Sequence, residues 1–112
     1  MSETQDDAKE MDDLLQGLWV KHYPVLVERI KLLHAVKDNL NAGCLDEQTR
    51  KDGEAAAHKL AGILGTFGLP QGSVLASRIE VLLAGDASLR AERAAELSSA
   101  VEELDAVIAS HP

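Results

Sequence analysis

Apolar residues in this chain recur at three- and four-residue intervals and never sustain an alternating pattern, which leaves helices as the regular structure it can build. Met11, Leu14, Leu15, Leu18 and Trp19 stand at i, i+3, i+4, i+7 and i+8. Leu26, Ile30, Leu33, Val36 and Leu40 lie on or near one stripe, and Leu97, Val101, Leu104 and Ile108 follow at spacings of 4, 3 and 4. Aromatic residues make up only 3%, as Trp19, Tyr23 and Phe67, so a core must come from Leu, Val, Ile and Ala. A chain of 112 residues has the length of one domain and can bury one modest core without disulfides.

The breaks divide this pattern. A first helix is predicted over Asp7–Val20, after an acidic tail of residues 1–6 expected to be disordered. Pro24 kinks or restarts the chain, and a second helix runs from there to Asn41, with Gly43 as a left-handed cap. Asp46 caps a third helix, which reaches Phe67 and ends at Gly68. Pro70 opens a fourth, to Leu83, and a last helix covers Ser88–Ala109. Short loops between long helices imply antiparallel neighbours. The expected fold is all-α, an antiparallel four-helix up-down bundle over residues 7–110 with an additional short N-terminal helix packed on it.

Charge and composition exclude several roles. The net charge of −8 disfavours nucleic acid as a partner. No apolar run approaches the ~18 residues of a membrane span, and the acidic start resembles neither a signal peptide nor a transit peptide. Cys44 is the lone cysteine, which rules out an internal disulfide and fits a reducing cytoplasm. The charge is uneven: residues 1–13 carry −5, residues 86–112 carry −4, and residues 14–85 carry +1. An acidic partner can approach the middle segment without strong repulsion.

The third helix is the informative one. With His58 at zero and about 100° per residue, Ala56, Leu60, Ile63, Leu64 and Phe67 fall between about 140° and 240° and form a core stripe. Phe67 is expected deep in the core. His58 points away from it, beside Lys51, Glu54, Ala55, Ala61, Gly62 and Gly65. An ordinary exposed face carries long polar side chains. Two mid-helix glycines cost roughly 1 kcal/mol each against alanine, which suggests that another body comes close to this helix. An exposed histidine alone is commonplace, and His22, His34 and His111 suggest no role of their own.

The segment His58-Lys-Leu-Ala-Gly62-Ile-Leu-Gly65-Thr-Phe-Gly68-Leu69, followed by Leu75 and Ile79-Glu80, resembles the signature of histidine phosphotransfer (HPt) domains of two-component phosphorelays. The histidine, the glycines four and ten residues on, and the glutamate 22 residues on all fall in place. One position departs: many members carry Lys three residues after the histidine, where this chain has Ala61. Lys51, about 20° from His58 on the wheel, and Lys59, about 100° away, are the candidate replacements.

The resemblance implies that His58 carries the phosphoryl group and exchanges it with the aspartate of a response-regulator receiver domain or a hybrid histidine kinase. Neutral imidazole is a competent nucleophile near neutral pH. Glu80, reaching across from the next helix, can accept a hydrogen bond from one ring nitrogen, fixing the tautomer and leaving the other, by resemblance Nε2, free to attack. Lys51 and Lys59 support the phosphate, and Glu54, Ala55, Ala61, Gly62 and Gly65 form the docking face. Mg²⁺ is expected on the partner, so this chain needs no metal or other cofactor of its own and acts as a monomeric phosphocarrier without autonomous catalysis. Two other readings compete. One is a non-catalytic bundle that docks a partner through the same face. The other is a metal site of His58, Glu54 and Glu80, which lacks a paired-histidine spacing.

Overall fold

A computed structural model of the chain describes residues 3–85 and 91–111. Among the described residues all regular structure is helical: α1 (Glu3–Asn41), α2 (Glu47–Thr66), α3 (Pro70–Leu83) and α4 (Ala94–Ala109). The molecule measures 60 × 20 × 20 Å. The 39 residues of α1, at ~1.5 Å of rise each, account for the long dimension.

Glycine ends α1 and α2 in the same way. At the end of α2 the N–H of Leu69 donates to Leu64 O and that of Gly68 to Gly65 O, with Gly68 at φ 72°. At the end of α1 Cys44 donates to Asn39 O and Gly43 to Leu40 O, with Gly43 at φ 73°. Both are Schellman closures, whose left-handed residue is accessible to glycine without strain. Asp46 caps α2 by accepting from the Thr49 N–H at 2.6 Å. Pro70 occupies the first turn of α3, where its missing N–H leaves no bond unmade.

Each helix packs against two others, α1 on α2 and α4, and α3 on α2 and α4. Residue numbers rise along one helix as they fall along its neighbour: His34 meets Asp105 and Asn41 meets Ser98, while Arg50 meets Leu83 and Ala61 meets Ser73. Leu26, Leu33, Leu60, Leu64, Ile79, Leu83, Leu97 and Leu104 are fully buried between the four helices. Each such side chain contributes about 1.5–3 kcal/mol of gross burial energy.

The structure departs from the sequence reading at several points. The short helix expected over Asp7–Val20 is not a separate element, because α1 passes through Pro24 unbroken. Trp19, Leu26 and Leu33, seven residues apart, are all buried, so the inward stripe keeps its phase across the proline. Pro24 lies on the outer side, and the carbonyl it deprives of a partner, that of Val20, belongs to an exposed residue that water can reach. Second, Phe67 is half-buried. It is the C-cap of α2, beyond the last full turn, and its ring is covered from one side by Trp19 at 5.3 Å. Third, Met11 and Leu14 are 55% and 58% exposed, so the apolar pattern of the first half of α1 extends past the packed core. Of the six residues expected as a tail, 3–6 open α1 and 1–2 lie outside the described residues. The expected start of the last helix at Ser88 also lies outside them, and the run expected to reach Ala109 is interrupted at Arg93, a turn residue that precedes α4.

Candidate functional site

The α2 sequence sorts its residues into two faces. Gly53, Ala56, Ala57, Leu60 and Leu64 are buried, and so is Arg50. The centre of this set lies roughly 130° round the helix from His58 at 100° per residue. The imidazole is accordingly 74% exposed. From α3, Glu80 follows the buried Ile79 and sits at the edge of the α2–α3 seam, 30% exposed. Its Oε2 lies 2.8 Å from His58 Nδ1. With Glu80 ionised, Nδ1 carries the proton and donates it. Nε2, the nitrogen farther from the backbone, is then the one with a free lone pair, on the solvent side.

The residues expected around His58 divide. Ala55, Gly62 and Gly65 are exposed. A Cβ built on Gly62 meets nothing within 4 Å, so internal packing does not demand glycine there. Lys51 and Lys59 are exposed and unpaired among the described residues, with Lys51 two turns before His58 on its face. Glu54 and Ala61 differ from expectation: both are half-buried rather than on the open face. The buried stripe is turned toward Ala57 and Arg50, which carries that flank of the helix against α3. Arg50 Nη1 holds Glu54 Oε2 at 2.7 Å.

Arg50 escaped the sequence reading as a structural residue. It is only 8% exposed, bound by Glu47 and Glu54 and donating to the Leu83 carbonyl at 3.1 Å. The hydrogen bond with Glu47 is the first cause that raises its pKa further above an already high value. The Asp46 carboxyl is held below its ordinary value by the Thr49 backbone hydrogen bond. Arg78, on the same helix as Glu80, pairs with Glu96 at 2.7 Å. Among the described residues no group of three or more His, Cys, Asp or Glu side chains is placed to hold a metal ion.

A family model, the Hpt domain, matches residues 1–107. The chain belongs to the Hpt domain family. The Protein RcaC of Microchaete diplosiphon is 27% identical over 99 residues, covering 88% of this chain and 15% of that protein. The chain therefore spans about a seventh of the length of this curated relative. No solved structure matches it. Hpt domains interact with receiver domains and kinases in phosphorelays, and family membership supports a phosphotransfer role here. No helix among the described residues is long and apolar enough to cross a membrane.

Proposed function

We propose that this chain is a phosphocarrier in which His58 accepts a phosphoryl group from the aspartate of one receiver domain and returns it to another. The observation that carries this reading is the 2.8 Å contact between Glu80 Oε2 and His58 Nδ1 on a ring that is 74% exposed. The Nε2 lone pair attacks the phosphorus of the aspartyl phosphate. The N–P bond forms as the P–O bond to aspartate breaks, and the carboxylate leaves. The ring keeps its Nδ1 proton and becomes positively charged, and Glu80 faces that charge. In the return step a carboxylate oxygen of the second receiver's aspartate attacks the phosphorus, the new P–O bond forms as the N–P bond breaks, and the ring leaves as its neutral tautomer.

Phosphoryl transfer depends on positioning and charge neutralisation more than on covalent help from the protein. The receiver brings Mg²⁺ and its own acidic pocket, so this chain holds no cofactor and has no autonomous catalytic activity. Lys59 and Lys51 stand in for the lysine that Ala61 replaces. The smooth surface of Ala55, Gly62 and Gly65 lets the receiver's loops reach the α2 backbone. The four helices act as an up-down antiparallel bundle that works as a monomer in the cytoplasm and presents this face rigidly. The test is label transfer from a panel of phosphorylated receiver domains. Acid-labile label on the wild type and none on His58→Gln is expected. A wild type that takes no label from any receiver, or a His58→Gln variant labelled equally well, overturns the reading and leaves a docking module without chemistry.

A further inference from the structure

The His58–Glu80 contact spans two helices, so it exists only while α3 keeps its register on α2. Apolar packing is non-directional and defines such a register loosely. Sliding α3 by one residue moves a carboxylate ~1.5 Å along the helix and ~100° round it, enough to break a hydrogen bond. Directional contacts must supply the missing precision.

Among the described residues two side-chain hydrogen bonds to backbone carbonyls cross this seam, one on each side of the pair. The Ser73 hydroxyl donates to Ala61 O at 2.8 Å, three residues beyond His58 on α2. Arg50 Nη1 donates to Leu83 O at 3.1 Å, three residues beyond Glu80 on α3. Leu83 is the last residue of α3, so its carbonyl has no partner within the helix. The Arg50 fork is itself aimed by Glu47 and Glu54.

The sequence makes room for the first of these ties. A Cβ on Gly65 would touch Ser73 Oγ at 3.5 Å, and one on Gly72 would come within 3.1 Å of Leu64 Cδ1 and 3.3 Å of Val107 Cγ1. The contact at Gly65 is an ordinary one, whereas Gly72 lets α3 approach Leu64 of α2 more closely than a side chain would, next to the point where the Ser73 hydroxyl reaches across. Gly65 faces this contact as well as solvent.

We propose that Ser73 and Arg50 are positioning residues, which hold α3 in the register that keeps Glu80 on His58 Nδ1 and Nε2 free for phosphorus. The proposal rests on the reading of His58 as the phosphoryl site. Both residues act through Glu80 and touch no reacting atom. A purely structural role predicts a change in stability alone. Positioning predicts a change in the histidine ring itself.

The experiment is ¹⁵N NMR of the His58 ring in the full unphosphorylated chain in alkaline solution, paired with receiver-to-chain label transfer. Ser73→Ala should lower the share of the Nδ1–H tautomer and slow transfer about tenfold, less than the ~100-fold that a 1 Å misplacement can cause. Ser73→Thr, which keeps a hydroxyl, should restore both. Ser98→Ala removes the contact with Asn41 on the opposite side of the bundle and should leave both at wild-type values. Arg50→Lys keeps the charge but loses the fork, and should shift the tautomer in the same direction as Ser73→Ala. A wild-type chain that takes no label overturns the phosphotransfer reading, whatever the ring does. A labelled chain whose tautomer share is unmoved by Ser73→Ala, or moved equally by Ser98→Ala, overturns the positioning proposal.

Discussion

Among the described residues two histidine–carboxylate pairs cross helix boundaries, one on each side of the bundle. On the α2–α3 side, His58 meets Glu80 through Nδ1, at 2.8 Å. On the α1–α4 side, His34 meets Asp105 through Nε2, at 2.6 Å. The contact lengths are similar, but the chemistry available to the two rings is not. His34 spends its outer nitrogen, Nε2, on the carboxylate, and Nδ1, the one nearer the backbone, is left over. Its side chain is only 34% exposed. His58 spends its inner nitrogen and is 74% exposed, which turns the outer one to solvent. A histidine beside a carboxylate is therefore not in itself a nucleophile. On the proposed reading, the nitrogen left free by the partner is what separates the reactive ring from the strut.

The largest expected effect tests that contrast directly. His58→Gln should abolish phosphoryl transfer while leaving stability within about 0.5 kcal/mol, as for an exposed position. His34→Gln should do the reverse, keeping transfer within about twofold and costing up to ~1 kcal/mol for one half-exposed hydrogen-bonded pair. Label transfer and denaturant melts on both variants measure the difference. Loss of label in the His34 variant would break the comparison.

The two sides also differ in how far they could be read from sequence. On the α2–α3 side, Asp46, Gly43, Gly68 and Pro70 are local signals with local causes, and the helix ends fall where they indicate. The outward direction of His58 follows from angular counting within one helix, and its meeting with Glu80 was an expectation of the family spacing. Arg50 was not legible in that role. Its burial depends on the Leu83 carbonyl, 33 residues away, and no local pattern marks such a partner. On the α1–α4 side, the proline rule favoured a break at Pro24. The signal against a break was present, because Trp19, Leu26 and Leu33 keep a seven-residue spacing through it. A continuous stripe with the proline on its outer side allows the helix to continue. The His34–Asp105 pair joins residues 71 apart and left no trace in either helix.

Glycines sharpen the contrast between the inner and outer faces of α2. A Cβ on Gly53 would lie 2.7 Å from Val36 Cγ2 and 3.2 Å from Leu83 Cδ1, against a β-branched side chain with little freedom to yield. Gly53→Leu should destabilise the fold by roughly 1–3 kcal/mol through overpacking. Gly62 faces open space. Gly62→Gln should stabilise the helix by about 0.5 kcal/mol through propensity. It should nonetheless reduce transfer on the order of tenfold, equivalent to ~1.4 kcal/mol of lost docking. Unimpaired transfer in Gly62→Gln would mean that the receiver approaches from elsewhere. Phe67→Ala should fall near the middle of the stability range, about 2 kcal/mol, below the ~3–5 kcal/mol of a fully buried phenylalanine. A loss of the full amount in urea melts would show that the ring is more deeply covered than its half-buried position implies.

The smallest effect concerns the start of α2, the helix that carries His58. Asp46 accepts from the Thr49 N–H, and that bond lowers its folded-state pKa below the ordinary 3.8. A carboxylate with a depressed folded pKa contributes stability that is fully present above the unfolded value. The contribution is lost as pH falls from about 3.8 through the lower folded value. Asn caps a helix comparably but does not titrate. Asp46→Asn should match the wild type near neutral pH and lose less stability on acidification across that window. Urea midpoints for both chains at a series of pH values from 6 to about 2.5 isolate this one group, because every other carboxylate is common to both. Parallel curves would show that the cap's charge contributes nothing. His58 labelling at neutral pH should be the same in both chains, since the cap bond is retained.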